Sequence, residues 1–308
     1  MILLEILLLA VGFFMLMKGA DWFVEGSAGI AKKMGIPQLV IGLTIVAMGT
    51  SAPEAAVSIN ASLKGNAGIA IGNVLGSNIL NILIILGISA VLATMAIQRS
   101  TFCYEIPFMI FVTVVLIALG MTGEYVTRAE GVILWILFIV YLLYLFRLAK
   151  KGAEEEETED RPIWKLFIFM VIGGVLVVWG SDVTVDSATA IAKVIGLSER
   201  FIGLTIVALG TSLPELVTSV VAARKGNADI AIGNIVGSNI FNILFVIGTA
   251  SIIAPVMYRS VFLVDGIIAV AAGVLLWVSV AKTKSLRKPW GIVMLLCYAG
   301  YLGYLLMM

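Results

Sequence analysis

Long apolar segments dominate the chain, separated by short polar breaks that hold charges, glycine or proline. A helix that crosses a bilayer needs about 20 mostly apolar residues. Division at these breaks gives ten segments of suitable length. They are Ile2 to Ile30, Pro37 to Leu63, Ala67 to Ala93, Tyr104 to Met121, Gly131 to Leu148, Leu166 to Ile191, Phe201 to Val221, Ala228 to Ala254, Val261 to Val280, and Gly291 to Met308. The pattern predicts an all-α membrane protein with ten transmembrane helices.

Composition supports a membrane protein and excludes several kinds of site. The 308 residues are 61% hydrophobic and 13% charged, against roughly 25% charged in soluble domains. The net charge of +1 includes no basic stripe, so no nucleic-acid partner is expected. There is no histidine, and the two cysteines, Cys103 and Cys297, are far apart. A metal centre built on histidine or cysteine is therefore excluded.

One stretch of the chain occurs twice. IGLTIVAMGTSAPE at 41–54 matches IGLTIVALGTSLPE at 202–215 in twelve of fourteen positions, with a displacement of 161 residues. A second stretch, at 65–83, matches 226–244 in fifteen of nineteen positions. We therefore predict a five-helix repeat at 1–149, repeated most strongly at 41–83, and another at 163–308, repeated most strongly at 202–244. Because five is odd, the second copy should enter the membrane from the opposite side.

The basic residues predict the orientation. With the N-terminus outside, the inner loops hold fourteen lysines and arginines and the outer loops hold five. Positive residues favour the cytoplasmic side, so a multi-pass protein of the cell membrane with both termini extracellular is expected. The segment 150–162 between the repeats has an acidic run, which is typical of a solvated, flexible cytoplasmic linker.

The repeated stretch should contain a broken helix. Pro53 has no N–H for the carbonyl of Gly49, and the residue before a proline is disfavoured in helical geometry. A break near Gly49 to Ala52 would free carbonyls around Ala47 to Thr50, which membrane depth tolerates only where they line a cavity or find a partner. A bound cation would be such a partner.

Oxygen-bearing side chains follow the break at helical spacing. Ala47, Thr50, Ser51 and Glu54 share one stripe, and Asn73, Ser77 and Asn81 share a face of the next span. The second repeat offers Ala208, Thr211, Ser212 and Glu215 with Asn234, Ser238 and Asn242. Such a set, without nitrogen or sulfur donors, suits hard cations such as Ca²⁺ or Na⁺. Two carboxylates balance one Ca²⁺, whereas three or more Na⁺ would over-neutralise them.

Other polar residues leave alternatives open. Asp21, Glu25, Asp182 and Asp186 could recruit cations, or could bond to neighbouring loops. Asn73 and Asn234 could equally bond between helices. A proline kink among small residues often serves only helix packing, yet packing does not require a carboxylate twice.

The two motifs GTSxPE and GSNxxN resemble those of the cation/Ca²⁺ exchanger superfamily, and within it the sodium/calcium exchangers of prokaryotic type. The resemblance covers essentially the whole chain. It implies Na⁺-driven exchange of Ca²⁺ by alternating access, through one cluster of cation sites. It also implies that the first and sixth helices slide past the remaining bundle. Ca²⁺ and Na⁺ would be the substrates. We expect no cofactor, no enzymatic activity and no obligate protein partner.

The resemblance also implies roles for individual residues. Glu54 and Glu215 would be the central carboxylates, and the carbonyls of Thr50 and Thr211 would complete the Ca²⁺ shell. Ser51, Ser77 and the Ala47 carbonyl would form one flanking Na⁺ site; Ser212, Ser238 and the Ala208 carbonyl would form its mirror. Asn81 and Asn242 would take the remaining central positions.

Three alternatives to Na⁺/Ca²⁺ exchange differ in their motifs. K⁺-dependent exchangers carry Asp at one of the two positions held here by Asn81 and Asn242, so K⁺ dependence is not expected. The Ca²⁺/H⁺ branch usually has a GNxxE-type motif, but the two glutamates could exchange protons. An intramembrane hydrolase would need a nucleophile or metal motif that the sequence lacks. A passive cation channel is less consistent with inverted repeats.

Overall fold

The computed structural model describes residues 2–64, 68–151, 161–194, 210–259 and 261–307. Within them the chain is almost entirely helical. The helices are α1 (Ile2–Met34), α2 (Gln38–Thr50), α3 (Ala52–Leu63), α4 (Gly68–Leu80, continuing through Asn81–Leu86 and Gly87–Leu92), α5 (Thr101–Met121), α6 (Arg128–Lys151), α7 (Ile163–Val194), α8 (Leu213–Arg224), α9 (Ala228–Ile253), α10 (Val261–Ala281) and α11 (Lys288–Met307).

The helices coincide with the predicted spans to within four residues at every end that the structure describes. Seven of the described helices are long and apolar enough to cross a membrane, and the bent pair α2–α3 would be an eighth span. The tenth predicted span coincides with α11, which is not among the seven. The first part of the seventh, 201–209, lies outside the described residues. The protein is therefore a multi-span membrane protein.

Two helices form the centre of the bundle. In α4 and α9, 78% and 94% of the most apolar window is buried inside the protein, against 17% in α1. Both central helices carry the GSNxxN motif, and both contain a π-helical stretch, at Asn81–Leu86 and Asn242–Ile247. The polar residues of the repeats therefore lie in the most enclosed part of the protein.

Helices α1 and α7 pack against each other in opposite directions through glycines. A Cβ at Gly12 would lie 3.1 Å from the carbonyl oxygen of Gly180, and one at Gly19 would lie 2.9 Å from that of Gly173. Since the contact moves down α7 as it moves up α1, the helices are antiparallel. These two helices occupy equivalent places in the two sequence repeats.

Short strands connect the two repeats at both ends of the bundle, although the sequence indicated only helices. β1 (Met95–Ala96) pairs with β4 (Ser285–Leu286), and β2 (Tyr125–Val126) pairs with β3 (Val256–Met257), both antiparallel. β1 and β2 flank α5, which at 21 residues is about 30 Å long. The two small sheets therefore lie at opposite ends of the bundle. Two-residue strands in loops give no hydrophobic alternation, so the sequence pattern could not predict them.

Each repeat also contains an acid hydrogen-bonded to a tyrosine, which the sequence analysis missed. Tyr144 of α6 donates to Oε1 of Glu105, a side chain that is 1% exposed and whose Oε2 has no partner. Tyr301 of α11 donates to Asp265 of α10 at 2.8 Å. These pairs fasten neighbouring helices on the flanks of the bundle. Their spacings differ between the repeats, so the internal sequence match did not reveal them.

Removal of the Tyr144 hydroxyl should destabilise the protein. In Tyr144→Phe, both carboxyl oxygens of buried Glu105 would lack a partner, which costs about 1–2 kcal/mol. The unfolding temperature in detergent should fall by several degrees. Tyr104→Phe is the matched control, because Tyr104 is exposed and its ring is a neighbour of Tyr144. Equal unfolding temperatures for the two variants would contradict this role of the bond.

Candidate cation site

Each glutamate of the repeated motif lies in the first turn of a helix that follows a break. α2 ends at Thr50, Ser51 adopts φ −81° and ψ 7°, and α3 begins at Ala52 with a bend of 51°. The proline is tolerated in the first turn, where its missing N–H is not needed. This turn also carries the positive end of the helix dipole, which favours a carboxylate there. Glu54 is 1% exposed.

The second break has the same local geometry. Ser212 adopts φ −93° and ψ 6°, and α8 begins at Leu213 with Pro214 in its first turn. Glu215 follows and is also 1% exposed. The sequence prediction of a break at the motif therefore agrees with the described part of both copies.

The carbonyls released by the first break differ partly from those predicted. The Ala47 carbonyl still accepts from Ser51 N at 3.0 Å, so it is not freed from its helix. Pro53 has no N–H to offer the Gly49 carbonyl. The carbonyl that the break frees is therefore that of Gly49.

The carboxylates of the two repeats are held by serines from the opposite repeat. Ser51 Oγ donates to Glu215 Oε1 at 2.8 Å, and Ser212 Oγ donates to Glu54 Oε1 at 3.1 Å. In each glutamate the second oxygen, Oε2, is buried without a partner. The two breaks therefore meet at one place and present two half-satisfied carboxylates.

Serine and threonine contacts also cross between the repeats. Ser238 Oγ donates to the Ala47 carbonyl at 3.3 Å, whereas the expected grouping placed Ser77 beside that carbonyl. Ser77 is buried in α4. Ala208 lies outside the described residues. Sequence spacing indicates which residues share a helix face, but not which helix faces it.

The threonines of the motif occupy the two helix breaks. Thr50 is buried, and its hydroxyl donates to Asn234 Oδ1 at 2.9 Å. Thr211, its equivalent in the second repeat, is half-buried directly before Ser212.

Asn73 and Asn234 connect helices, which was one of the two roles left open. Asn73 Nδ2 donates to Ser58 Oγ at 2.9 Å and to the Glu54 carbonyl at 3.2 Å. Asn234 Nδ2 donates to Ser219 Oγ at 2.9 Å and lies 3.5 Å from the Glu215 carbonyl. Both thus hold the helix that carries the glutamate. The two serines were not predicted as part of the site, although they too lie 161 residues apart.

Asn81 and Asn242 begin the π-helical stretches of α4 and α9, and both are buried. π-Helical turns are often found at functional sites. Asn81 Nδ2 donates to Asn239 Oδ1 at 2.9 Å, and Asn242 Nδ2 donates to Asn78 Oδ1 at 3.2 Å. The Oδ1 atoms of Asn81 and Asn242 are buried without partners.

The unpartnered atoms of the site are of one chemical kind. Among the predicted site residues that the structure describes, four buried side-chain atoms lack a partner: Oε2 of Glu54 and Glu215, and Oδ1 of Asn81 and Asn242. All four are acceptors if the carboxylates are ionised. Buried polar atoms normally have partners, and unpartnered acceptors can be satisfied by a proton donor or a cation. The oxygen set fits hard cations.

The site has few charges. In the described residues no group of three or more His, Cys, Asp or Glu is placed to hold a metal ion. Any cation here would therefore be bound by two carboxylates and neutral oxygens, which limits the negative charge to two.

The four acids of α1 and α7 lie apart from these contacts and differ between the helices. Lys225 Nζ pairs with Asp21 Oδ1 at 3.0 Å and also donates to the Asp21 carbonyl at 3.1 Å. Arg161 pairs with Glu25. Asp182 and Asp186 of α7 are exposed. In α1 the acids therefore bond to neighbouring segments, as one of the two alternatives expected.

Comparison with known proteins agrees with this geometry. The profile of a family described as "Sodium/calcium exchanger protein" matches residues 4–147 and 165–307, which is most of the chain. The chain belongs to this family. The sequence is 39% identical to the putative antiporter CaxA of Alkalimonas amylolytica, over 94% of this chain and 95% of that protein. It is 32% identical to the sodium/calcium exchanger MaX1 of Methanosarcina acetivorans, over 98% of each.

A solved structure of the sodium-calcium exchanger NCX_Mj, soaked with zero Na⁺ and Ca²⁺, has a similar fold. The TM-score is 0.88 at 32% identity, and the match covers 99% of this chain and 100% of that one. The family assignment made from GTSxPE and GSNxxN is thus confirmed. The members of this family are transporters. This chain has the same fold as the solved exchanger along nearly its whole length.

Proposed function

We propose that the protein is a secondary active antiporter that exchanges Na⁺ for Ca²⁺ across the cell membrane by alternating access. The observation that carries this proposal is the meeting of Glu54 and Glu215 from two helix breaks, each hydrogen-bonded to a serine of the opposite repeat. Carboxylates are costly inside a membrane and usually mark an ion path or a proton relay. The family and its named relatives support the choice of ions.

The contacts support a particular division of ligands. Glu54 and Glu215 would bind both kinds of ion through their unpartnered Oε2 atoms, and the carbonyls of Thr50 and Thr211 would complete the Ca²⁺ shell. Asn81 and Asn242 would contribute Oδ1.

The two flanking Na⁺ positions would each draw on both repeats. The contacts group Ser51 and Ser238 with the Ala47 carbonyl beside Glu215. The pseudo-symmetric set would be Ser212, Ser77 and the Ala208 carbonyl beside Glu54.

The charge of the site makes such exchange electrogenic. Two carboxylates balance one Ca²⁺, whereas three Na⁺ leave an excess positive charge. Because Asn81 and Asn242 are neutral, neither position adds a third carboxylate that would favour an additional K⁺. Exchange should therefore move net charge and proceed without K⁺.

The architecture that fits this mechanism has ten spans in two inverted repeats, 1–149 and 163–308, with both termini outside and a cytoplasmic linker at 150–162. The antiparallel contact of α1 with α7 supports it, as do the strand pairs at opposite ends of the bundle. The glycine contact holds α1 and α7 together, and these are the two helices that, according to the family resemblance, slide past the rest of the bundle.

Reconstitution tests the proposed function. In proteoliposomes loaded with Na⁺, dilution into Na⁺-free buffer should drive ⁴⁵Ca²⁺ uptake, and a membrane potential that is negative inside should slow it, because the exchange moves net positive charge out of the vesicle. Vesicles loaded with choline are the control. A K⁺ gradient alone should drive no uptake. Uptake driven equally well by a pH gradient without Na⁺ would instead identify a Ca²⁺/H⁺ antiporter, and uptake without any counter-ion would identify a channel.

A further inference from the structure

Four asparagines form a hydrogen-bonded group where α4 meets α9. Asn78 and Asn239 are buried and donate to each other's backbone carbonyl, each with Nδ2 at 3.1 Å. Their side-chain oxygens accept from Asn242 and Asn81, respectively. Of the four, only Asn81 and Asn242 have an expected role as ligands. The group therefore contains two residues, Asn78 and Asn239, whose contribution is unexplained.

The chemistry of this group fixes which end of each amide faces which neighbour. A backbone carbonyl can only accept, so Asn239 must direct Nδ2 toward the Asn78 carbonyl. Its Oδ1 then faces Asn81, and since Oδ1 can only accept, Asn81 must present Nδ2 to it. The opposite end of the Asn81 amide is therefore Oδ1. By the same reasoning, the Asn239 carbonyl fixes the orientation of the Asn78 amide. Asn78 Oδ1 in turn fixes the orientation of the Asn242 amide.

The orientation matters because an asparagine amide has two unlike ends. Its oxygen can bind a cation, whereas its NH₂ group would repel one. Asn81 Oδ1 and Asn242 Oδ1 are the ends that remain buried without partners. With a flipped amide, the site would lose an oxygen ligand and gain a donor. Nothing on Asn81 or Asn242 itself prevents that flip.

We propose that Asn78 and Asn239 are positioning residues of the cation site, which lock the amides of Asn242 and Asn81 with oxygen toward the bound ions. The inference rests on the proposed function, since it presumes that cations bind where these oxygens point. Asn239 is the more firmly held of the two, because its Nδ2 also lies 3.6 Å from Met109 Sδ. It is therefore the better position to test.

The test is a double-mutant cycle of Asn239→Leu and Asn81→Asp. Leucine keeps the branched shape and the number of side-chain heavy atoms of Asn239 but leaves Asn81 free to flip, so Ca²⁺ affinity should fall about tenfold. A carboxylate at 81 presents oxygen in either orientation and does not need Asn239. In the Asn81→Asp background, Asn239→Leu should therefore change the affinity less than about twofold. The readout is equilibrium binding of ⁴⁵Ca²⁺ to the purified full chain.

Equal losses in both backgrounds would overturn the positioning role, because a merely structural residue would weaken binding regardless of what stands at 81. Ser89→Ala, which removes a buried hydroxyl without a partner in α4, is the control for general effects of core substitution. If Asn239→Leu cannot be purified folded, the mirror cycle of Asn78→Leu with Asn242→Asp tests the same claim.

The two proposals fail in different ways. Additive losses in a protein that exchanges Na⁺ for Ca²⁺ would refute only the positioning role. The predicted non-additivity, in a protein that binds Ca²⁺ but shows no Na⁺-driven uptake, would support positioning and refute antiport. A wild-type protein that binds no Ca²⁺ would refute both.

Discussion

Replacement of Glu54 or Glu215 by glutamine will abolish Na⁺-driven Ca²⁺ uptake, with a loss of more than about a hundredfold. Glutamine keeps the shape of the side chain and an oxygen that can accept from the partner serine, at Ser212 or Ser51. Only the charge is removed. A site with two negative charges is left with one, which cannot balance Ca²⁺ in a medium where an uncompensated charge costs several kcal/mol.

The measurement is ⁴⁵Ca²⁺ uptake in proteoliposomes that contain equal amounts of folded wild-type or variant protein. Glu5→Gln, in the first turn of α1 and away from the site, is the matched control and should transport normally. Unchanged uptake by both Glu54→Gln and Glu215→Gln would show that the two carboxylates do not bind the transported ions.

Gly173→Ala should disrupt the crossing of α1 with α7. The added Cβ would lie 2.4 Å from Phe23 N and 2.7 Å from the Gly19 carbonyl oxygen. Both atoms are backbone, so no side chain can move aside and the helices must separate. Such overpacking costs about 1–3 kcal/mol. The unfolding temperature in detergent should fall, and transport should fall with it.

Gly300→Ala is the matched control for this substitution. Gly300 lies in α11, and a Cβ there would meet nothing within 4 Å. Since alanine favours a helix over glycine by about 1 kcal/mol, this variant should be as stable as the wild type or more so. Equal stability and transport in Gly173→Ala and Gly300→Ala would mean that α1 and α7 do not need close contact.

The sequence predicts most of the membrane-embedded framework because hydrophobic length is a direct physical requirement for crossing a bilayer. The helix break at Ser51 was also predictable, since Pro53 removes a specific N–H. The π-helical stretches at Asn81 and Asn242 could not be predicted, because one additional residue in a turn leaves no periodic signal. The Glu105–Tyr144 pair joins two spans whose packing the sequence does not specify.

The candidate site was likewise predictable from the sequence only in part. Glu54 and Glu215 were recognisable as isolated charges in apolar, repeated sequence. The expected grouping of Ser77 with the Ala47 carbonyl stays a prediction, whereas the contact of that carbonyl with Ser238 of the other repeat was not predicted. The orienting role proposed for Asn239 depends on a backbone carbonyl across the helix interface, which no spacing within one repeat can reveal.

Competition between Na⁺ and Ca²⁺ for the purified protein tests most directly whether the two carboxylates form one shared site. Equilibrium binding of ⁴⁵Ca²⁺ should be displaced by Na⁺, steeply because more than one Na⁺ replaces each Ca²⁺, and the same concentration of K⁺ should leave it bound. Binding should be lost in Glu54→Gln and in Glu215→Gln. Ca²⁺ binding that persists unchanged in high Na⁺, or in both variants, would contradict a shared cation site at these residues.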